Sequence, residues 1–152
     1  MTTNDQEERD LAQAEMDIGS GIAAFEAKHF SRAMQLLFPL CEQGNSEAQY
    51  RVAVMYQNGL GTVRNELQAY RWMRAAAEQN HGLAQHGIGF MYLEGECVSQ
   101  NAELAAQWFQ RAAEQGLIGA QVNLGMMYRE GRGVTQNEEL ARHWLRKAGI
   151  EE

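Results

Sequence analysis

The chain has a single proline in 152 residues, only two cysteines and no excess of basic charge. Each shortage closes off a class of protein. With one proline and many alanines, almost nothing interrupts intrahelical hydrogen bonds, so helices are favoured. Cys41 and Cys97 are too few and too far apart for a disulfide framework, and both are expected as reduced thiols. No apolar run approaches the roughly 18–20 residues needed to span a bilayer, so no membrane insertion is expected. The opening "MTTNDQEERD" lacks the basic start and apolar stretch of a secretory signal, which predicts a cytoplasmic protein.

Charge excludes more. The net charge is −7, and residues 1–17 hold six carboxylates (Asp5, Glu7, Glu8, Asp10, Glu15, Asp17) against Arg9 alone. Residues 1–10 therefore read as an acidic, flexible, solvated tail. The rest of the chain is close to neutral and would not attract a nucleic-acid backbone. Hydrophobic residues make up 45% and charged residues 22%, which suits a packed domain and not a disordered one.

What the chain has in plenty is glycine, 15 in all, and it is placed periodically. Three segments beginning at Ala48, Ala84 and Ala120 align without a gap at a step of 36 residues. Met-Tyr recurs at 55–56, 91–92 and 127–128; Gly59, Gly95 and Gly131 match, as do Asn65, Asn101 and Asn137, and then Trp72, Trp108 and Trp144. Each unit reads as helix, turn, helix. The first helix carries apolar residues at helical spacing, such as Val52, Met55 and Tyr56. Glycine ends it, because glycine adopts left-handed dihedrals without steric penalty. Asparagine then caps the second helix by accepting from an orphan N–H.

The same register settles "MMYREGRGVTQN". Two glycines around Arg132 could cradle an anion, but only if a helix followed with its N-terminal amides facing the ligand. Here Asn137 occupies that cap position, and "GRG" is the third copy of a corner after "GLG" and "GEC". Nucleotide or RNA binding through Arg129 and Arg132 is not expected.

At these residues the chain resembles the Sel1-like repeat family, which is related to the tetratricopeptide group. Ala120, Leu124, Gly125, Tyr128, Gly131, Gly133 and Val134 match the family pattern closely, with Asn in place of its usual Asp cap. The resemblance implies an all-α fold, an α/α solenoid (a right-handed superhelix) of about four helix-turn-helix repeats and eight helices. "GSGIAAFEAKHFSRAMQLLFPLCEQG" looks like a degenerate first unit: Ala33 lies 36 before Ala69, but Gly21 precedes Ala33 by 12 where Gly125 precedes Ala141 by 16. Its inter-helix loop should be shorter, and Pro39 should kink its second helix. One repeat domain over 11–150 follows, with units at about 11–45, 46–81, 82–117 and 118–150.

No catalytic or metal constellation stands out. His29, His81, His86 and His143 form no i, i+4 pair, no cysteine pair accompanies them, and no nucleophile–base set emerges. No metal, cofactor or catalytic residue is expected. Some cysteine-rich members of the family are β-lactam-binding hydrolases, but the regular cysteine pairs that go with that activity are absent here. The tryptophans and Met-Tyr pairs recur once per repeat and read as inter-repeat core.

In the related folds the first helices line a concave face. Carrying that geometry over selects Ile18, Ile22 and Phe25, then Tyr50, Val54 and Gln57, then His86, Phe90 and Leu93, and finally Val122, Met126 and Arg129. The set is mainly apolar and aromatic, as an interaction surface would be, and a concave one suits an amphipathic helix or extended peptide. The expected function is a non-catalytic adaptor or scaffold that binds a protein partner through this groove. The alternative is a regulatory subunit acting through its convex face or C-terminal end on an enzyme or a secretion or signalling machine. At that end, Leu140, Leu145 and Ile150 should be partly bare and covered by a second copy, giving a homodimer, or by the partner.

Overall fold

A computed structural model describes residues 2–150 of the chain. Among them lie eight helices and no strand: α1 (Thr3–Glu26), α2 (Phe30–Glu42), α3 (Ser46–Asn58), α4 (Glu66–Glu78), α5 (Gly82–Glu94), α6 (Ala102–Glu114), α7 (Ile118–Glu130) and α8 (Glu138–Lys147). They divide into two compact units, one up to Trp72 and one from Met73 onward, with the division falling inside α4. In the first unit α1 packs on α2 and α2 on α3; in the second α5 packs on α6, α6 on α7 and α7 on α8.

The corners follow from local chemistry. Gly59, Gly95 and Gly131 all adopt left-handed dihedrals and end α3, α5 and α7, each donating its N–H to the carbonyl of the repeat's methionine. Asn65, Asn101 and Asn137 close the loops from the other side. Their N–H groups donate to the carbonyls of Tyr56, Tyr92 and Tyr128, and their side-chain oxygens accept from Gln68, Leu104 and Leu140 N–H. Each Met-Tyr pair thus anchors its loop through the backbone, while Met55, Met91 and Met127 are buried in the core. Asn101→Ala should lower stability by about 0.5–2 kcal/mol through loss of this cap. Chemical denaturation that left the midpoint unmoved would refute the capping role.

The first unit departs from the others as its spacing predicts. Three residues join α1 to α2, where seven join each later pair. Helix α2 continues through Pro39, although proline has no N–H to give the carbonyl of Gln35. Residues 3–10, expected as a flexible tail, are instead the start of α1. The reason is a capping box: Asp5 N–H donates to Thr2 Oγ1 at 3.2 Å, and Thr2 N–H donates to Asp5 Oδ2 at 3.1 Å. That N–H, with the Thr2 side chain, holds the Asp5 carboxyl below its ordinary value. Gln6 and Gln13 add side-chain bonds one turn on, to Asp10 and Asp17.

The core of the second unit gathers around Phe109, which is fully buried with Leu93, Ala105, Ala112, Leu124 and Trp144 about it. Glycine makes the approach possible: a Cβ on Gly89 would stand 2.7 Å from the Phe109 ring. Trp72 and Trp144 are buried as core residues should be, whereas Trp108 is half-buried with the Arg111 guanidinium 4.8 Å above its ring.

Candidate interaction surface

The residues selected for a concave surface divide between the two units. In the first, Ile18, Ile22 and Phe25 of α1 and Tyr50, Val54 and Gln57 of α3 are all half-buried. Phe25 meets Phe30 edge-on at 5.5 Å, and the Arg51 guanidinium lies 4.9 Å from its ring centre. Burial pushes the Tyr50 phenol above its ordinary pKa. The Gln57 carbonyl accepts from Arg64 Nε at 3.0 Å, which ties the following loop to α3.

In the second unit the same positions are less uniform. Phe90 of α5 and Met126 of α7 are exposed, at 40% and 38%. They stand 36 residues apart at one register position. His86 is half-buried beside Phe90, its ring 5.0 Å from Phe90 and 5.5 Å from Phe109, with Phe90 and Phe109 5.6 Å apart. Burial lowers the His86 pKa below its ordinary value, so the imidazole is neutral at pH 7. With its proton on Nδ1, its Nε2 accepts from Asn123 Nδ2 at 3.0 Å, a bond that joins α5 to α7. Val122 is half-buried.

Two of the selected residues do something else. Leu93 is buried in the core cluster and offers nothing to a surface; being one turn after the buried Gly89, it falls on the side of α5 that approaches Phe109. Arg129 turns to α8, where its guanidinium pairs with Glu138 at 2.9 Å. The expectation for the C-terminal helix is corrected in the same way. Leu140 and Ile150 are exposed, but Leu145 is 2% exposed, because Gly125 lets α7 approach so closely that a Cβ there would meet Leu145 at 2.9 Å.

A recurring glutamine escaped the sequence reading. Gln49, Gln85 and Gln121 follow the alanine that opens each aligned segment, and all three are buried. Their Nε2 groups donate to the carbonyls of Cys41, Ala77 and Ala113, eight residues back, at 3.1–3.2 Å. Each carbonyl lies in the last turn of a second helix, where it also accepts a short turn bond three residues on, from Gly44, Asn80 and Gly116 N–H. The signal was the repeated Ala-Gln dipeptide, since a polar residue conserved between copies at a helical core position needs a buried partner.

No cluster of three or more His, Cys, Asp or Glu side chains poised for a metal occurs among the described residues. Cys41 and Cys97 form no disulfide among the described residues. Burial pushes the Cys41 thiol up to about 12, which leaves it protonated and unreactive. No helix among the described residues is long and apolar enough to cross a membrane.

Comparison with known proteins places this architecture. The Sel1 repeat model matches residues 46–81, 82–117 and 118–149, leaving residues 1–45 outside the match. A Sel1 repeat protein from Oxalobacter formigenes is 35% identical, with a TM-score of 0.82 over 86% of this chain and 54% of that one. A protective antigen of uropathogenic Escherichia coli strains, displaying an SLR fold, is 32% identical, with a TM-score of 0.85 over 98% of this chain and 33% of that one. This chain therefore spans about half the length of the first and a third of the second. Helicobacter pylori cysteine rich protein B, 22% identical with a TM-score of 0.63 over 80% of this chain and 86% of that one, shares the fold. No curated protein matches the sequence. Sel1 repeat proteins are generally non-catalytic scaffolds for contact between proteins. Three consecutive matched repeats, built of capped helix pairs with glycine corners, make this chain a member of the Sel1 repeat family.

Proposed function

We propose that the chain is a non-catalytic adaptor which holds a protein partner on the α5/α7 surface that displays Phe90 and Met126. The observation that carries this reading is their joint exposure at one register position of successive first helices, beside an ordered histidine that links the two helices. Large apolar side chains held on rigid helices are suitable anchors, because little side-chain entropy is lost when they are covered. An amphipathic helix or an extended segment with apolar residues at matching spacing fits such a surface. The half-buried apolar side chains of α1 and α3 offer a second patch of similar chemistry in the first unit. The high Cys41 pKa fits a role without thiol chemistry. Two cysteines that form no disulfide suit a reducing compartment such as the cytoplasm.

Affinity capture from the native cell extract tests this, with Phe90→Ala/Met126→Ala beside the unaltered chain. The double variant should keep its helical content and lose its main partner, with affinity reduced about tenfold or more. Undiminished capture would move the binding surface elsewhere on the molecule.

A further inference from the structure

Two surface regions lie outside that reading, and their charges are opposite. The first is a cleft of about 480 Å³ between α1 and α2 in the first unit. Ala14, Leu36 and Pro39 supply apolar lining, Asp10 and Asp17 stand along the α1 side, and Gln35 lies on the α2 side. The two carboxylates are two turns apart, about 10 Å along the helix. Each accepts only a neutral glutamine amide in the bonds described above. The second region is the surface of α8 in the second unit, where Arg142, Arg146 and Ile150 surround the edge of Leu145. All three are exposed, and Arg146 and Lys147 place positive charge in the last turn.

The repeat register says how such regions meet. Within the second unit, Arg74 of α4 lines a cleft with Gln107, Trp108 and Arg111 of α6, the second helix of the next repeat. Seventy-two residues, two repeat steps, separate Gln107, Trp108 and Arg111 from Gln35, Leu36 and Pro39. The same step separates Arg74 from Arg146. The arginine of α8 is thus the counterpart of one that borders a cleft along this flank of a second helix, and the α2 flank is the counterpart of that cleft's other wall.

We propose that α8 of one copy docks into the α1/α2 cleft of a second copy, with Arg146 against Gln35, Leu36 and Pro39, and with Arg142 and Arg146 pairing with Asp10 and Asp17. Ile150 covers the apolar floor. The contact is heterologous, joining different surfaces of two identical chains, and it repeats between copies the step that sets Arg74 across a cleft from α6 within the second unit. It does not involve Phe90 or Met126, so it stands or falls separately from the partner surface.

Charge exchange tests it. Sedimentation equilibrium of the full chain at roughly 100 μM should show self-association that weakens at least tenfold as salt rises to about 0.5 M. Asp10→Lys/Asp17→Lys and Arg142→Glu/Arg146→Glu should each sediment as monomers with unchanged circular dichroism, and an equimolar mixture of the two should associate again. If a reversed variant unfolds, the neutral versions Asp10→Asn/Asp17→Asn and Arg142→Gln/Arg146→Gln should weaken association at least threefold. A monomeric wild type at low salt, association unaffected by the charge changes, or a mixture that stays monomeric would each overturn the proposal.

Discussion

Gln85→Leu is expected to be among the most damaging single substitutions outside the apolar core, lowering stability by about 2–4 kcal/mol. Leucine is close in volume, so the loss is polar. Gln85 is fully buried. Its Nε2 donates to the Ala77 carbonyl at 3.2 Å and to Asn80 Oδ1 at 3.1 Å, and its Oε1 accepts from Gln115 Nε2 at 2.7 Å. The side chain therefore ties the end of α4 to α5 and, through Gln115, to the end of α6. Leucine would remove one of the two donors to the Ala77 carbonyl, which would keep only the Asn80 N–H at 3.1 Å, and would leave the Gln115 amide without its closest acceptor. In a chain of this size the thermal midpoint should fall by about 5–15 °C. Gln121→Leu supplies the internal control. Gln121 donates to Ala113 in the same way, but its Oε1 is buried with no partner among the described residues. Removing an unsatisfied oxygen offsets part of the loss, so this variant should cost clearly less. Thermal unfolding in which the two variants fall equally, or in which Gln85→Leu is neutral, would show that the network does not hold the repeats together.

The contrast between these glutamines marks what could be read from sequence. Whatever the 36-residue step repeats was legible: the glycine corners, the asparagine caps, the buried methionines and the helical class itself. Repetition turns a weak local preference into a firm one, since three copies of an accident are improbable. The shorter first loop was legible too, because Gly21 keeps its role against Leu37 while its distance to Ala33 shrinks by one helical turn. The orientation of single side chains on the first helices was not. An α-helix advances 100° per residue, so the packed and open sides of α5 meet within a position or two, and Leu93 fell on the packed side. Arg129 was drawn off by Glu138, nine residues on in another helix, a pairing that no local pattern announces. Residues 3–10 were misread because net charge argued for a tail, while one threonine and one aspartate at capping-box spacing decided for a helix.

Gly133→Ala should cost about 3 kcal/mol or more, and the reason answers what the "GRG" corner is for. Gly133 has φ of +72°, where any other residue is strained by about 1–2 kcal/mol. That strain alone is tolerable, since Cys97 adopts φ of +66° at the same register position in the preceding repeat. At Gly133 there is a second obstacle: a Cβ would run into the carbonyl oxygen of Ala102, with the carbonyl carbon 2.5 Å away. The obstacle is backbone at the first residue of α6, so it cannot rotate aside as a side chain would, and the start of that helix has to move. Arg132 beside it also works inward, its guanidinium donating to the Leu93 carbonyl at 3.1 Å, a carbonyl that Gln100 Nε2 also reaches at 2.8 Å. Arg132→Ala should therefore be mild, about 0.5–1.5 kcal/mol for one hydrogen bond, and should change no nucleotide affinity. The two variants separate a corner from an anion cradle. A corner predicts that the glycine matters far more for stability than the arginine, measured by chemical denaturation. A cradle predicts a stable Gly133→Ala protein and, in the unaltered chain, salt-sensitive nucleotide binding that vanishes with Arg132.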